Sequence, residues 1–430
     1  MASPLKQFVT SIQNLSAQGS YREIVDMLNK SSDVLVKYRE QLPSVLESLD
    51  CQQHSLGVLA VLCLELSTTA PMPPDTFEKA FLKVQDCCCK FIFLFSVAEL
   101  CHHLTKNLIE FKTPMRGIAI LQKAIKKLQM SSTQLTPVHA DLCQLCLLAK
   151  NFKPALEFLD IDMVSIELFI RCKYFLLYYY YGGMIYAAVK QYHRALFFFE
   201  VAITTPASAV SFIMLEAYHK YILISLIIHG KIIPFPKYTS QIVARFIRPL
   251  SQAYHDLATA YATNNAEDVR NCLSKYHETY VRDNNVGLTK QVLSSLFKKN
   301  IQRLTRVFLT LSLSDVATKA QLSGPQQAVV YLIKMIEAGE IFATINQKDG
   351  MVMFHDDPEK YNNPEMMKKL ENEVNFTMYG LKSQNKSDGR GIDVNPQYVK
   401  KANSNQEEDL SPGQGLKMSY SSMNMPGVKE

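Results

Sequence analysis

Small residues and a large aromatic recur at fixed helical spacing through the middle of this chain, and few folds tolerate that pattern. The fullest copy is Gly183-x-x-Tyr186, followed by Ala195-x-x-x-Phe199-x-x-Ala202. Gly117, Leu121 and Ala124 give an earlier copy at spacings of four and three, and Ala155 and Leu159 repeat its first two places. Small side chains let two antiparallel helices approach, and the aromatic fills the groove between them. This is the tetratricopeptide-like arrangement, in which each helix pair covers the next and the stack forms a solenoid with a concave, partner-binding side. The period here is close to 40 residues, longer than the regular repeat of about 34, and the chain has no tryptophan. The pairs are therefore read as degenerate.

Amphipathic helices precede the repeats. Leu5, Phe8, Val9 and Ile12 form one stripe, and Ile24, Leu28, Val34 and Leu35 form the next beyond a break at Gly19-Ser20. Leu56 to Leu66 is almost wholly apolar, which predicts a helix covered on both faces. Further helices are expected over Val210–Ile228, Thr239–Arg248, Leu250–Ala262 and Asn285–Phe308. A single core rarely grows past about 250–300 residues, so 430 residues imply more than one domain. A net charge of +6 permits nucleic-acid contact without demanding it. Of the ten cysteines, Cys63, Cys143 and Cys146 sit in apolar helical runs, as buried thiols in a reducing compartment would. The N-terminus has no secretory h-region, and the longest uncharged run, Tyr174 to Val189, is too short to span a membrane, so a soluble intracellular protein is expected.

Leu309 to Phe354 reads as a winged helix. Leu309, Leu311 and Leu313 alternate as a short strand, and Ser314 and Asp315 cap a helix through Ala320. Ser323 and Gln326 stand at capping-box spacing before a second helix, whose stripe is Val329, Leu332, Ile333 and Ile336 and whose stop is Gly339. Ile341, Ala343 and Ile345, a turn at Lys348-Asp349-Gly350, then Val352 and Phe354 make a hairpin. Such a unit binds DNA or proteins. Off its stripe the second helix offers Lys334 against Glu337, and the turn offers Lys348 against Asp349. Lys298, Lys299, Arg303 and Arg306 lie on the preceding helix. A base-reading helix needs more cations than this, so a strand edge offered to proteins is the preferred reading.

Catalytic chemistry finds no footing. His277-Glu278 lacks the second histidine of a zinc-protease motif, its place being taken by Val281. His139, Cys143 and Cys146 fall at i, i+4, i+7, but the two cysteines occupy the places of Gly183 and Tyr186 and read as core thiols. Cys87-Cys88-Cys89 is a run, and neighbours on a helix point about 100° apart. The tyrosine run Tyr178 to Tyr181 reads as packing between repeats. Neither a Gly-x-Ser-x-Gly elbow nor a phosphate-cradling glycine loop is present. No enzyme, metal or cofactor is expected.

A helical solenoid running without a linker into a winged helix is the layout of the PCI domain. His139-Ala-Asp-Leu-Cys-Gln-Leu-Cys146, Tyr178-Tyr-Tyr-Tyr-Gly-Gly-Met-Ile-Tyr186, Gln321-Leu-Ser-Gly-Pro-Gln326 and Gly339-Glu-Ile-Phe-Ala-Thr-Ile-Asn346 resemble, more narrowly, the subunit-three family of the COP-nine signalosome. That resemblance implies a non-catalytic scaffold supporting removal of a ubiquitin-like modifier from cullins, and so regulating cullin–RING ubiquitin ligases, in cytoplasm and nucleus. It implies subunits one and eight as neighbours, and a helical bundle that carries the metalloprotease subunit. The fold expected is mostly α: repeats over 1–195, a PCI domain over 196–364 with its winged helix at 306–364, a bundle helix over 365–384 and a disordered tail over 385–430. Interface residues are expected on the winged-helix edges at Leu309, Leu311, Leu313, Thr344, Ile345, Met353 and Phe354, and on the bundle helix at Met367, Leu370 and Val374. Ser411, before Pro412 in the tail, is a candidate phosphorylation site. The alternatives are a PCI scaffold of the proteasome lid or of a translation-initiation complex, and a nucleic-acid-binding winged-helix protein. The chain departs from the family in its bundle helix, which is weaker here with Thr377 and Gly380 inside it, and in two earlier stretches. Around Cys87 to Leu100 and Asp162 to Phe175 this chain runs on through Phe91 to Leu94 and Leu168 to Ile170, where the family has polar loops.

Overall fold

In the computed structural model the N-terminal part folds as helices: α1 (Ser3–Gln18), α2 (Tyr21–Lys37), α3 (Leu42–Ser48), α4 (Ser55–Leu66), α5 (Pro74–Cys87) and α6 (Leu94–Glu110). Leu5, Phe8, Val9 and Ile12 are all buried, as are Ile24 and Leu35. Gly19 separates the two stripes at a φ of 70°. Helix α4 is buried on both sides, from Leu56 and Val58 round to Leu62 and Leu66. The structure describes residues 3–38, 41–50, 53–67, 73–87, 94–163, 165–166, 172–207, 209–236, 238–356, 364 and 366–378. Cys88 and Cys89, Phe91 to Phe93, Leu168 to Ile170 and the tail with Ser411 lie outside them. The chain divides into two units, Met1–Met353 and Phe354–Glu430.

The repeats follow as α7 (Met115–Leu128), α8 (Val138–Leu148), α9 (Lys153–Leu159), α10 (Cys172–Ala188), α11 (Tyr192–Thr204) and α12 (Phe212–Ile228). Two short strands, β1 (Gln134–Leu135) and β2 (Ser165–Ile166), pair in parallel among them. Packing runs from α7 to α8, α8 to α10, α10 to α11 and α11 to α12, so each helix covers the next. The close approach rests on glycine. A Cβ on Gly183 would stand 2.8 Å from the Phe199 ring, the aromatic that the pattern paired with it. Cys143 and Cys146, in the corresponding places of α8, are buried like Gly183 and Tyr186. Tyr186 donates its hydroxyl to Asp160 Oδ1 at 2.8 Å, tying one helix pair to the preceding one.

The turn inside three successive pairs closes in the same way. Lys112, Lys150 and Lys190 adopt left-handed φ values of 56°, 54° and 67°. The next residue's N–H then reaches back five positions: Thr113 to the Leu108 carbonyl, Asn151 to Cys146 and Gln191 to Tyr186. This is the Schellman closure of a helix C-terminus, with lysine where glycine is usual.

Beyond α12 lie α13 (Gln241–Ile247), a 3-10 turn at Pro249–Ser251, α14 (Gln252–Ala262), α15 (Ala266–Lys275), α16 (His277–Arg282) and the long α17 (Val286–Val307). Helix α17 packs against α12, α15 and α16 and also against both helices of the small unit that follows it within the first body. That unit is β3 (Thr310–Ser312), α18 (Leu313–Lys319), α19 (Pro325–Glu337), β4 (Phe342–Asn346) and β5 (Met351–His355). The helix–helix–hairpin expectation holds, with three local corrections. Ser312, not Ser314 or Asp315, caps α18, its Oγ accepting the Asp315 N–H at 3.0 Å. Ser323 pairs with Gln327 rather than Gln326, donating to Oε1 at 2.6 Å. The buried face of α19 is Ala328, Leu332 and Met335; Val329 and Ile336 are half-buried and Ile333 is exposed. Gly339 does end α19, at a φ of 67°. Among the described residues no helix is long and apolar enough to cross a membrane.

Candidate protein-interaction site

The three-stranded sheet has the order β3-β5-β4, so the returning strand of the hairpin lies in the middle. It runs antiparallel to β3, with Thr310 opposite Met353, Leu311 opposite Val352 and Ser312 opposite Met351. This changes how the expected edge residues are used. Met353 and Phe354 belong to a central strand whose backbone is already laddered, and only β3 and β4 are outer strands. Leu311, Leu313 and Phe354 are buried and Ile345 is half-buried, so these four do not offer the exposed side chains expected of interface residues. Leu309, which precedes the strand, is 80% exposed.

Alternation along each strand leaves the opposite sheet face outside. Phe342 and Thr344 on β4 and Met351 and Met353 on β5 are exposed, Met353 to 49%. A face combining an aromatic with unbranched thioethers is large, apolar and able to adapt its shape to a partner. The sequence pattern contained it, but attention to the strand edges passed over it. On α19, Val330 and Ile333 add exposed apolar surface one turn apart.

In the second unit, residues 366–378 form a helix. Met367, Leu370 and Val374 are more than half exposed, and Phe376 is exposed to 77%. Those three fall at i, i+3, i+7, a stripe of the kind that is normally covered in a folded helix.

Part of the charge near the winged module is engaged inside the chain. Lys298 donates to Glu340 at 2.7 Å, Lys299 donates to the Leu226 carbonyl and lies over the Tyr261 ring, and Asn346 donates to Asp349 in the turn. Burial lowers the Lys299 ammonium to about 8. Arg303, Arg306, Lys334 and Lys348 remain exposed, few for a phosphate backbone, which is bound by several cations gathered on one face.

The metal candidates read from sequence also resolve. His277 and Glu278 are exposed on a short helix. His139 is buried between Phe158 and Tyr178, with Nδ1 2.8 Å from the Thr136 hydroxyl and Nε2 3.1 Å from Gln129 Nε2, so both ring nitrogens are engaged. Burial lowers its pKa to about 4. Burial likewise pushes the Cys146 thiol up to about 12 and Cys143 well above its ordinary value, leaving both as inert core thiols. One group escaped the sequence reading: Glu216 and His219 on α12, with Asp283 after α16, place a donor atom each within 4.8 Å of one another. Their signal was charge in the middle of an otherwise apolar helix.

Comparison with known proteins decides among the PCI alternatives. The model of the family "COP9 signalosome complex subunit 3, N-terminal helical repeats" matches residues 18–243, and that of the PCI domain matches residues 273–356. A Drosophila melanogaster protein, COP9 signalosome complex subunit 3, is 46% identical over 96% of this chain and 97% of its own length. The chain belongs to the COP9 signalosome complex subunit 3 family. A Dictyostelium discoideum protein of the same name is 36% identical over 85% of this chain and 91% of its own length. The match spans both the helical repeats and the helix–sheet module, so the mostly helical architecture with a PCI-type terminus is a family property.

Proposed function

We propose that this chain is a non-catalytic scaffold subunit of the signalosome, acting through contact surfaces and thereby supporting removal of the ubiquitin-like modifier from cullins. Its partners are other signalosome subunits, with subunits one and eight as neighbours in cytoplasm and nucleus. Cullin–RING ligases are reached indirectly. The observation that carries the reading is the outer sheet face of Phe342, Met351 and Met353, left apolar and exposed beside a family match that covers the whole module. The helix at 366–378, with Met367, Leu370 and Val374 on one stripe, supplies a second surface suited to a helical bundle that carries the metalloprotease subunit. An apolar stripe of this kind is stabilised only when another helix covers it.

Met353→Arg tests the sheet face, because its side chain is half exposed and a charge there can reach solvent. Native purification from cells should then recover fewer neighbouring subunits with the variant, while its circular dichroism and melting stay those of the parent. Full recovery of the neighbours would remove the sheet face from the interface. Leu370→Asp is the matching test for the helix.

A further inference from the structure

Glu216, His219 and Lys220 are buried together on α12, a helix otherwise made of Phe, Met, Leu, Ile, Tyr and Ala with a single serine. Ionisable groups persist in such a place only when each is compensated. Two of them are. Lys220 Nζ donates to Glu216 Oε2 at 3.2 Å, and Arg282 Nε donates to Asp283 Oδ1 at 3.2 Å. Glu216 is thus anchored through Oε2 and turns Oε1 toward the imidazole, while Asp283, held at Oδ1 by Arg282, turns toward the same ring an Oδ2 that also accepts the Tyr254 hydroxyl. Glu216 Oε1 and Asp283 Oδ2 both stand 3.6 Å from His219 Nδ1. The His219 side chain is only 6% exposed, and neither ring nitrogen has a hydrogen-bond partner among the described residues.

A protonated imidazole would draw one carboxylate in to about 2.7–2.9 Å. Two equal separations of 3.6 Å fit a shared ion better. Zinc bonds of about 2.0–2.2 Å to nitrogen and carboxylate oxygen set neighbouring ligands of a tetrahedral site about 3.3–3.5 Å apart. The surroundings are those of oriented ligands. Tyr254 stacks on the imidazole at 4.1 Å and donates to Asp283 Oδ2 at 2.9 Å, while Asn285 Nδ2 donates to the Tyr254 hydroxyl at 2.7 Å. Arg282, which pairs with Asp283, is largely in solvent, so among the described residues Lys220 is the buried ammonium beside the two carboxylates.

We propose that Glu216, His219 and Asp283 form a structural site for a divalent transition-metal ion, zinc suiting one imidazole and two carboxylates. Such an ion would clasp α12 to the turn that launches α17, locking the end of the repeats to the helix that carries the PCI terminus.

The full-length protein, stripped with chelator and dialysed against limiting zinc, should retain one equivalent by elemental analysis. His219→Gln and Asp283→Asn should each lose that equivalent, and Cys172→Ser, which removes an exposed thiol, should keep it. Zinc should raise the melting temperature of the parent and leave that of the two site variants unmoved. Should those variants fail to fold, cobalt in the parent decides: visible ligand-field bands without thiolate charge transfer support the site, and thiolate charge transfer overturns it. Folded parent that retains no zinc would also overturn it.

Discussion

His139 ties a measurable pH dependence to one packing decision. Its ring fills the space between Phe158 and Tyr178 and is held by Thr136 and Gln129, all without a countercharge. Burial therefore disfavours the imidazolium, and the pKa falls from 6.5 to about 4. The unfolded chain holds this proton more tightly than the folded one. Stability from the site is accordingly complete above about pH 6.5, declines as pH falls toward about 4, and is flat below that. At about 1.4 kcal/mol for each tenfold change in proton affinity, the full loss is about 3 kcal/mol. Urea unfolding of the parent and of His139→Gln at matched pH from 7.5 to 4.5 isolates it, since other titrations are common to both. The variant should start less stable and lose less on acidification, so the gap should close by most of that amount. A gap that stays constant with pH, or a carbon-13 histidine signal assigned to His139 that titrates near its ordinary value, would refute the burial argument.

Two further substitutions probe the fold. Gly183→Ala places a methyl 2.8 Å from the rigid, fully buried Phe199 ring and should cost about 1–3 kcal/mol by chemical denaturation, with no loss of helical signal. Ser312→Ala removes the acceptor for the Asp315 N–H and should destabilise by about 1 kcal/mol. Hydrogen exchange should report that loss first in α18.

Elements written in local periodicity were readable from the chain. The stripe of α1 and the covered α4 depend on residues a few positions apart, and the glycine-aromatic seam of α10 and α11 on neighbouring helices of one repeat. Helices α15 and α16 were missed because each buries little, Ala266 and Val269 in one and Tyr280 in the other. Yet Asn265 caps α15 by accepting the Glu267 N–H, and Glu267 and Asp268 occupy its first turn, a start signal present in the sequence. The phase of α19 was misjudged because Ile333 outweighs Ala328 in hydrophobicity, although the alanine is the one that fits against the core. Strand order is a different matter. A hairpin pattern says that β4 and β5 pair, and nothing local says that β3 takes the far side of β5. The charged cluster of α12 needs Asp283, remote in sequence, before Glu216 and His219 acquire a meaning.

Lys112, Lys150 and Lys190 follow from the same repeat, 38 and 40 residues apart, and all three are exposed. A left-handed residue other than glycine costs about 1–2 kcal/mol, so successive turns hold unused stabilisation that could be released without touching a packed side chain. What lysine gives in return is electrostatic. Three ammonium groups recur at the same point of consecutive helix pairs, and like charges repeated along a stack oppose the sideways association of one stack with another.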